Sequence, residues 1–181
     1  MKMKKITVTG VAFLAAMTVL AGCGNAGGNT GKDTEETSTA AETTTTEEKE
    51  KVSISSGDSL TIPVDELTEN AAFYPVNVDG TEMEVIAVKT SDGTIRTAFN
   101  TCQICYDSGN GYYKQEGDKL VCQNCGNSFT MDQIGKTAGG CNLWPILESD
   151  RTLADGEIQI SHDFLKGSAD IFANWKAAYQ S

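Results

Sequence analysis

Residues 102–105 read Cys-Gln-Ile-Cys, and residues 122–126 read Cys-Gln-Asn-Cys-Gly, with sixteen residues between the two pairs. Two Cys-x-x-Cys pairs at this separation are a standard spacing for a metal site with four thiolate ligands. Each pair forms a tight turn that places two sulfurs on one side of the loop. Cys102, Cys105, Cys122 and Cys125 are therefore the candidate metal and cofactor ligands.

A further cysteine follows in the segment Gly139-Gly140-Cys141-Asn142. The two glycines allow the backbone to approach a cofactor closely. Cys141 is therefore a candidate fifth metal ligand, a replacement for one of the four, or a resolving thiol beside the centre. A plain buried cysteine is the structural alternative.

The spacing alone does not select the metal. Four thiolates suit zinc, mononuclear iron or an iron-sulfur cluster, and copper is a further alternative. A c-type haem needs histidine directly after a pair, whereas Tyr106 and Gly126 stand there. Disulfide bonds are the structural alternative, because an exported chain meets oxidising conditions.

Strand patterns lead into both cysteine pairs. Residues 94–99 predict a strand that ends at the first pair, and residues 111–115 and 119–122 predict a hairpin around Glu116-Gly117-Asp118 that ends at the second. The two pairs are thus predicted at the ends of neighbouring strands, where they face one another.

The remaining patterns predict a mainly β domain. Residues 52–62 alternate around Gly57-Asp58 and predict a first strand pair, and residues 73–78 and 82–88 flank Asp79-Gly80, a strong hairpin signal. Residues 157–160 predict a last strand and residues 170–177 two helical turns. The fold prediction is small antiparallel sheets carrying the metal-binding knuckles, with a short C-terminal helix.

The N-terminal residues predict export and a lipid anchor. A basic start and an apolar run to Leu20 are typical of a signal peptide over residues 1–22. The run ends in Leu20-Ala21-Gly22-Cys23, which resembles the lipobox of bacterial lipoproteins. That resemblance implies acylation of Cys23, for example with palmitate, and attachment to the extracytoplasmic face of the cell membrane.

Residues 23–51 predict a disordered tether rich in Thr and Glu, which leaves a cysteine-rich domain over residues 52–181. The formal net charge of −11 argues against nucleic acid as a partner. The only histidine, His162, is predicted at the surface. A chain with one histidine and no phosphate-binding loop gives no support for enzymatic turnover of an organic substrate.

Five segments together resemble the FtrD-like family of membrane iron-sulfur proteins, over about Ser59 to Trp175. The resemblance implies an iron-sulfur centre and a role in bacterial iron transport, with an iron permease or a redox membrane protein as partner. Members of that family often carry transmembrane helices, for which a lipid anchor would substitute here. The segments are Thr97–Tyr106, Gly111–Tyr113, Val121–Gly126, Ile134–Gly135 and Gly139–Asn142.

A weaker resemblance points to Rieske domains, in which a strand leads to a first ligand pair and a second pair precedes Gly-x-x-Phe, as in Cys125-Gly126-Asn127-Ser128-Phe129. Rieske sites use one Cys and one His in each pair, whereas both pairs here are cysteines. The resemblance therefore implies Rieske-like or rubredoxin-like knuckles without Rieske chemistry.

Two functional hypotheses follow. The first is a membrane-anchored extracytoplasmic iron-sulfur or metal-binding protein that transfers electrons or handles metal in a bacterial iron-uptake system. The alternative is a zinc- or disulfide-stapled binding module that partners a membrane transporter.

Overall fold

The computed structural model describes residues 49–136 and 139–176. The predicted signal peptide (1–22), the predicted lipidation site at Cys23 and nearly all of the predicted tether (23–51) lie outside the described residues. These three assignments therefore stay predictions.

Strands dominate the described residues, and one short α-helix follows the last of them. The 3-10 turns cover Val64–Glu66, Tyr106–Ser108, Met131–Gln133, Glu148–Asp150 and Ala169–Phe172. The strands and the helix are β1 Val52–Ile54, β2 Ser59–Pro63, β3 Ala72–Val78, β4 Thr81–Lys89, β5 Ile95–Cys102, β6 Tyr113–Glu116, β7 Lys119–Cys122, β8 Ser128–Thr130, β9 Leu143–Pro145, β10 Thr152–Ala154, β11 Glu157–Ser161 and α1 His162–Gly167.

The strands form three small sheets, which confirms the predicted mainly β class with a short C-terminal helix. The largest sheet has the order β1-β3-β4-β5-β9, and the two others have the orders β10-β11-β2 and β6-β7-β8. All pairings are antiparallel except that of β1 with β3. The first cysteine pair begins at the last residue of β5, in the five-stranded sheet. The second begins at the last residue of β7, in the three-stranded sheet β6-β7-β8, which we call the small sheet.

Both predicted hairpins are present. Val78 pairs with Thr81 across Asp79-Gly80, and both turn residues have positive φ, 49° and 93°. A two-residue turn with positive φ at both positions matches the twist of the flanking strands, which explains the preference for Asp-Gly. The second hairpin joins β6 to β7, with Glu116 paired to Lys119.

The predicted pairing of the first two strands is wrong. β1 pairs with β3 of the large sheet, and β2 pairs with β11. A turn at Ser55 to Asp58 separates them, with the Asp58 N–H donating to the Ser55 carbonyl at 2.9 Å. Alternating apolar residues show that a segment buries one face, but they do not identify its partner strand.

The C-terminal helix lies earlier than the predicted residues 170–177. It begins after Ser161, whose hydroxyl accepts the Phe164 N–H at 3.3 Å as an N-cap. The predicted segment instead contains a 3-10 turn, although Ile171, Phe172 and Trp175 are all buried. The prediction was wrong because the spacing of these apolar residues indicates that they share a buried face, which a 3-10 turn can provide as well as an α-helix.

Two buried clusters form the core, one on each face of the large sheet. The first packs β3 and β4 against β2, β11 and α1. The second contains Ile86, Val88 and Ala98 together with the small sheet and three of the cysteines. Residues 83–88 are buried on both faces of β4, so this strand reads as a continuous apolar run interrupted only by Glu84.

Candidate metal centre

The first cysteine pair forms a loop closed by backbone hydrogen bonds. The Cys102 N–H donates to the Gly111 carbonyl at 2.7 Å, and the Ser108 N–H donates to the Cys105 carbonyl at 3.0 Å. A Cβ atom on Gly111 would lie 2.7 Å from the carbonyl carbon of Cys105. Only glycine allows the returning chain to pass this close to the loop.

The second pair forms a similar loop at the end of β7. The Gly126 N–H donates to the Cys122 carbonyl, and the Cys122 N–H donates to the Asn127 carbonyl, both at 2.9 Å. Gly126 has a φ of 74°, a conformation that side-chain-bearing residues rarely adopt, which explains the glycine directly after the pair. Backbone N–H groups of Cys125 and Asn127 point at the sulfurs of Cys122 and Cys125, respectively.

The fold brings the two pairs together as the sequence predicts, but the strands that end in them, β5 and β7, belong to different sheets and are not the predicted neighbours. The Sγ atoms of Cys102, Cys105, Cys122 and Cys125 all lie within 4.8 Å of one another. Cys102, Cys105 and Cys122 are buried, with 0%, 7% and 1% exposure, whereas Cys125 is exposed. Of these four cysteines, only Cys125 therefore reaches the surface. All five cysteines among the described residues are free thiols.

Asn100, two residues before the first cysteine pair, connects β5 to β6, and sequence reasoning did not identify it. Its side chain accepts the Tyr113 N–H at 2.6 Å and donates to the Tyr113 carbonyl at 3.2 Å. The side-chain amide also donates to the buried Glu84 carboxylate. The backbone carbonyl of Asn100 accepts the Trp175 indole N–H at 2.9 Å. Because Asn100 is 1% exposed, these bonds tie β5 to β6 in the interior.

Cys141 lies beside the four sulfurs, on a segment held by the first loop. Its thiol is within hydrogen-bonding reach of those of Cys125 and Cys102. The Gln103 side chain accepts the Gly139 N–H at 2.6 Å and donates to the Leu143 carbonyl at 2.8 Å. It therefore forms hydrogen bonds to the segment on both sides of Cys141. The predicted return of this segment to the site is confirmed, and its action as a ligand stays a prediction.

The thiols differ in their ease of ionisation. Burial raises the pKa of Cys105 to about 12 and that of Cys122 to about 11. Burial also acts on Cys125, but hydrogen bonds from the Asn127 N–H and from the neighbouring thiols outweigh it and hold its pKa below the ordinary value. Thiolates are the metal-binding form, so a metal that occupies this group displaces protons from the buried thiols.

Of the aromatic side chains, Tyr113 packs in the same buried cluster as Cys102, Cys105 and Cys122, and its hydroxyl donates to the Cys141 carbonyl at 2.9 Å. Trp144 meets Tyr106 edge to face at 5.9 Å, but both pack against the other core cluster, which contains none of the described cysteines. The prediction of a surface His162 is wrong, since the residue is 3% exposed and its ring nitrogens face Asp79 and Asp163, not the cysteines.

Comparison with solved structures finds Rieske oxygenases at low similarity. A quaternary ammonium Rieske monooxygenase, CntA, in complex with an inhibitor is 12% identical with a TM-score of 0.39, over 60% of this chain and 32% of that one. A naphthalene 1,2-dioxygenase bound to phenanthrene is 18% identical with a TM-score of 0.38, over 59% and 26%. The chain thus spans about a third or less of these proteins, and at this similarity no chemistry is inferred from them.

No curated protein matches the chain. Within residues 49–136 and 139–176, none of the helices has the length and apolar character needed to cross a membrane. A family model described as "Membrane iron-sulfur containing protein FtrD-like" matches residues 67–172. The match lies inside the predicted range of about 59–175 and covers all five described cysteines. The chain therefore belongs to the FtrD-like family of membrane iron-sulfur containing proteins.

Proposed function

We propose that this protein is a lipid-anchored, extracytoplasmic metalloprotein that binds iron through Cys102, Cys105, Cys122 and Cys125 and transfers electrons in a bacterial iron-uptake system. The observation that carries the proposal is the convergence of four sulfurs within 4.8 Å of one another. Sulfur donors select thiophilic ions such as iron and zinc over hard cations such as magnesium. The donor set therefore fits iron bound by thiolates.

The burial of the site supports electron transfer over exchange of the bound metal. Bound iron would supply a one-electron redox couple. Three ligands are almost inaccessible to water, and backbone N–H groups point at the sulfurs, which are the features that set the potential of thiolate-bound iron. The exposed Cys125 provides the surface end of the path to a redox partner.

The cellular setting of the proposal comes from the N-terminal sequence and the family. The lipobox-like Leu20 to Cys23 supports anchoring at the extracytoplasmic face, and membrane association agrees with the family description. A membrane anchor places the site beside an iron permease or a membrane redox protein. These partners are the ones we propose.

Anaerobic purification followed by reductive titration tests the proposal. The wild-type protein is expected to contain iron and to show thiolate-to-iron absorption bands that bleach and return reversibly. Cys122→Ser is expected to lose the iron, because its 1% exposed position leaves no substitute ligand from solvent. Ser128→Ala, an exposed change near the same loop, is the matched control. A colourless protein whose bound metal is unaffected by Cys122→Ser contradicts the proposal.

The zinc-stapled module remains a second candidate because the four sulfurs connect two sheets. Cys102 ends β5 of the large sheet, and Cys122 ends β7 of the small one. A redox-inert ion at this junction would hold the sheets together and leave the surface free to bind a transporter. Stoichiometric zinc in the protein from iron-replete cells, with no redox response, favours this candidate.

A further inference from the structure

We propose that the four cysteines bind one metal ion in a tetrahedral mononuclear site, and not a two-iron cluster. This inference rests on the proposed metal binding and specifies the class of centre. It separates this chain from the sulfide-bridged clusters that the term iron-sulfur commonly denotes.

The spacing of the sulfurs is the first support. Metal–sulfur bonds of about 2.3 Å in a tetrahedron place neighbouring sulfurs about 3.8 Å apart. The largest separation in the group is within 4.8 Å, so a small contraction of the thiols is sufficient to enclose one ion. In a two-iron cluster, thiolates on different irons are farther apart, because the iron–iron distance adds to the components of the two iron–thiolate bonds along the iron–iron axis. The two loops would have to move apart to hold it.

The backbone around the group resists that movement. The Cys102 N–H donates to Gly111 at 2.7 Å, and the Gln123 N–H donates to Tyr112 at 2.9 Å, so the short segment 111–112 bonds to both loops. Asn100 adds two buried bonds between β5 and Tyr113. Separation of the loops would break these bonds and leave polar groups of the buried Asn100 unpaired, which is unfavourable.

The space beside the sulfurs is also occupied. Tyr113 lies on the buried side, in the same cluster as Cys102, Cys105 and Cys122, and its hydroxyl donates to the Cys141 carbonyl at 2.9 Å. On the partly exposed side lies Cys141, held by the bonds of Gln103 to Gly139 and Leu143. Bridging sulfides and a second iron would have to displace one of these two residues. A tetrahedral ion has four ligands, so Cys141 is assigned as a neighbour of the centre and not as a ligand.

The test is a count of metal and acid-labile sulfide in the full-length protein, extracted anaerobically from membranes. The expected result is one metal ion per chain with no labile sulfide, and Cys141→Ser is expected to keep that ratio. Two irons with two sulfides per chain overturn the inference while leaving the proposed function intact. Loss of the metal in a folded Cys141→Ser variant also overturns it, because a fifth thiol would then be required.

Loading the metal-free protein with Co²⁺ gives an independent reading of the geometry. Intense visible ligand-field bands that saturate at one equivalent indicate a single tetrahedral thiolate site and support the inference. Saturation at two equivalents in distinct tetrahedral environments overturns it. Absence of any binding, with iron, zinc or cobalt, contradicts the proposed function itself and is distinguishable from both other outcomes.

Discussion

At the scale of single residues, Asn100 is the amide that holds the site together. Asn100→Ala removes the acceptor of the Tyr113 N–H and one hydrogen bond to the Glu84 carboxylate in the interior. We expect a loss of about 1 to 3 kcal/mol in the free energy of unfolding, measured by urea denaturation, and faster loss of bound metal to a chelator. Asn110→Ala, an exposed change in the same region, is expected to stay within about 0.5 kcal/mol of the wild type. Equal effects of the two changes would contradict the assigned role.

His162 gives the fold a predicted dependence on pH. Hydrogen bonds to Asp163 and Asp79 raise its pKa in the folded protein. Protonated His162 therefore contributes stability that is complete below its unfolded pKa of about 6.5 and is lost as pH rises through the higher folded value. His162→Gln is expected to flatten the fall in unfolding free energy over this range, measured by urea denaturation at successive pH values. An unchanged pH profile in the variant rules this explanation out.

At the scale of secondary-structure elements, the segment carrying Cys141 depends on Gln103. Gln103→Ala removes both side-chain hydrogen bonds to the segment, at Gly139 and Leu143, and leaves the backbone bond from the Gln103 N–H to the Asn142 carbonyl. We expect Cys141 to be alkylated several-fold faster in the metal-loaded protein, measured by mass spectrometry. The side chain of the corresponding glutamine in the second loop, Gln123, donates to the nearby Val121 carbonyl, so Gln123→Ala is the matched control. Identical alkylation rates in the two variants would contradict this role.

Local signals account for what the sequence predicted of these elements. The Asp79-Gly80 hairpin and the Gly126 turn follow from backbone conformations that few residue types adopt, and they are visible within four residues. The spacing of the cysteines likewise encodes loop geometry, so the convergence of the four sulfurs was predictable. The pairing of β1 with β3 and the bonds of Asn100 depend on tertiary contacts across many residues, which no local pattern records. Strands β8, β9 and β10 have three residues each, too short for an alternating pattern.

At the scale of the whole molecule, the sequence predicts that a lipid anchor and a tether precede the cysteine-rich domain. Acylated Cys23 would fix the protein to the membrane, and residues 24–51 would let the domain reach a partner. Cys23→Ser is expected to abolish incorporation of radiolabelled palmitate and to move the protein from the membrane fraction to the soluble fraction. Cys141→Ser, which leaves the lipobox intact, is the control. Retention of Cys23→Ser in washed membranes would show that another feature anchors the chain.

The central claim for the whole molecule is that Cys102, Cys105, Cys122 and Cys125 bind a metal together. X-ray absorption spectroscopy of the purified protein at the edge of its bound metal tests it most directly. We predict four sulfur neighbours at about 2.3 Å and no nitrogen or oxygen in the first shell. A first shell of nitrogen and oxygen atoms, or a protein without stoichiometric metal, would contradict the claim.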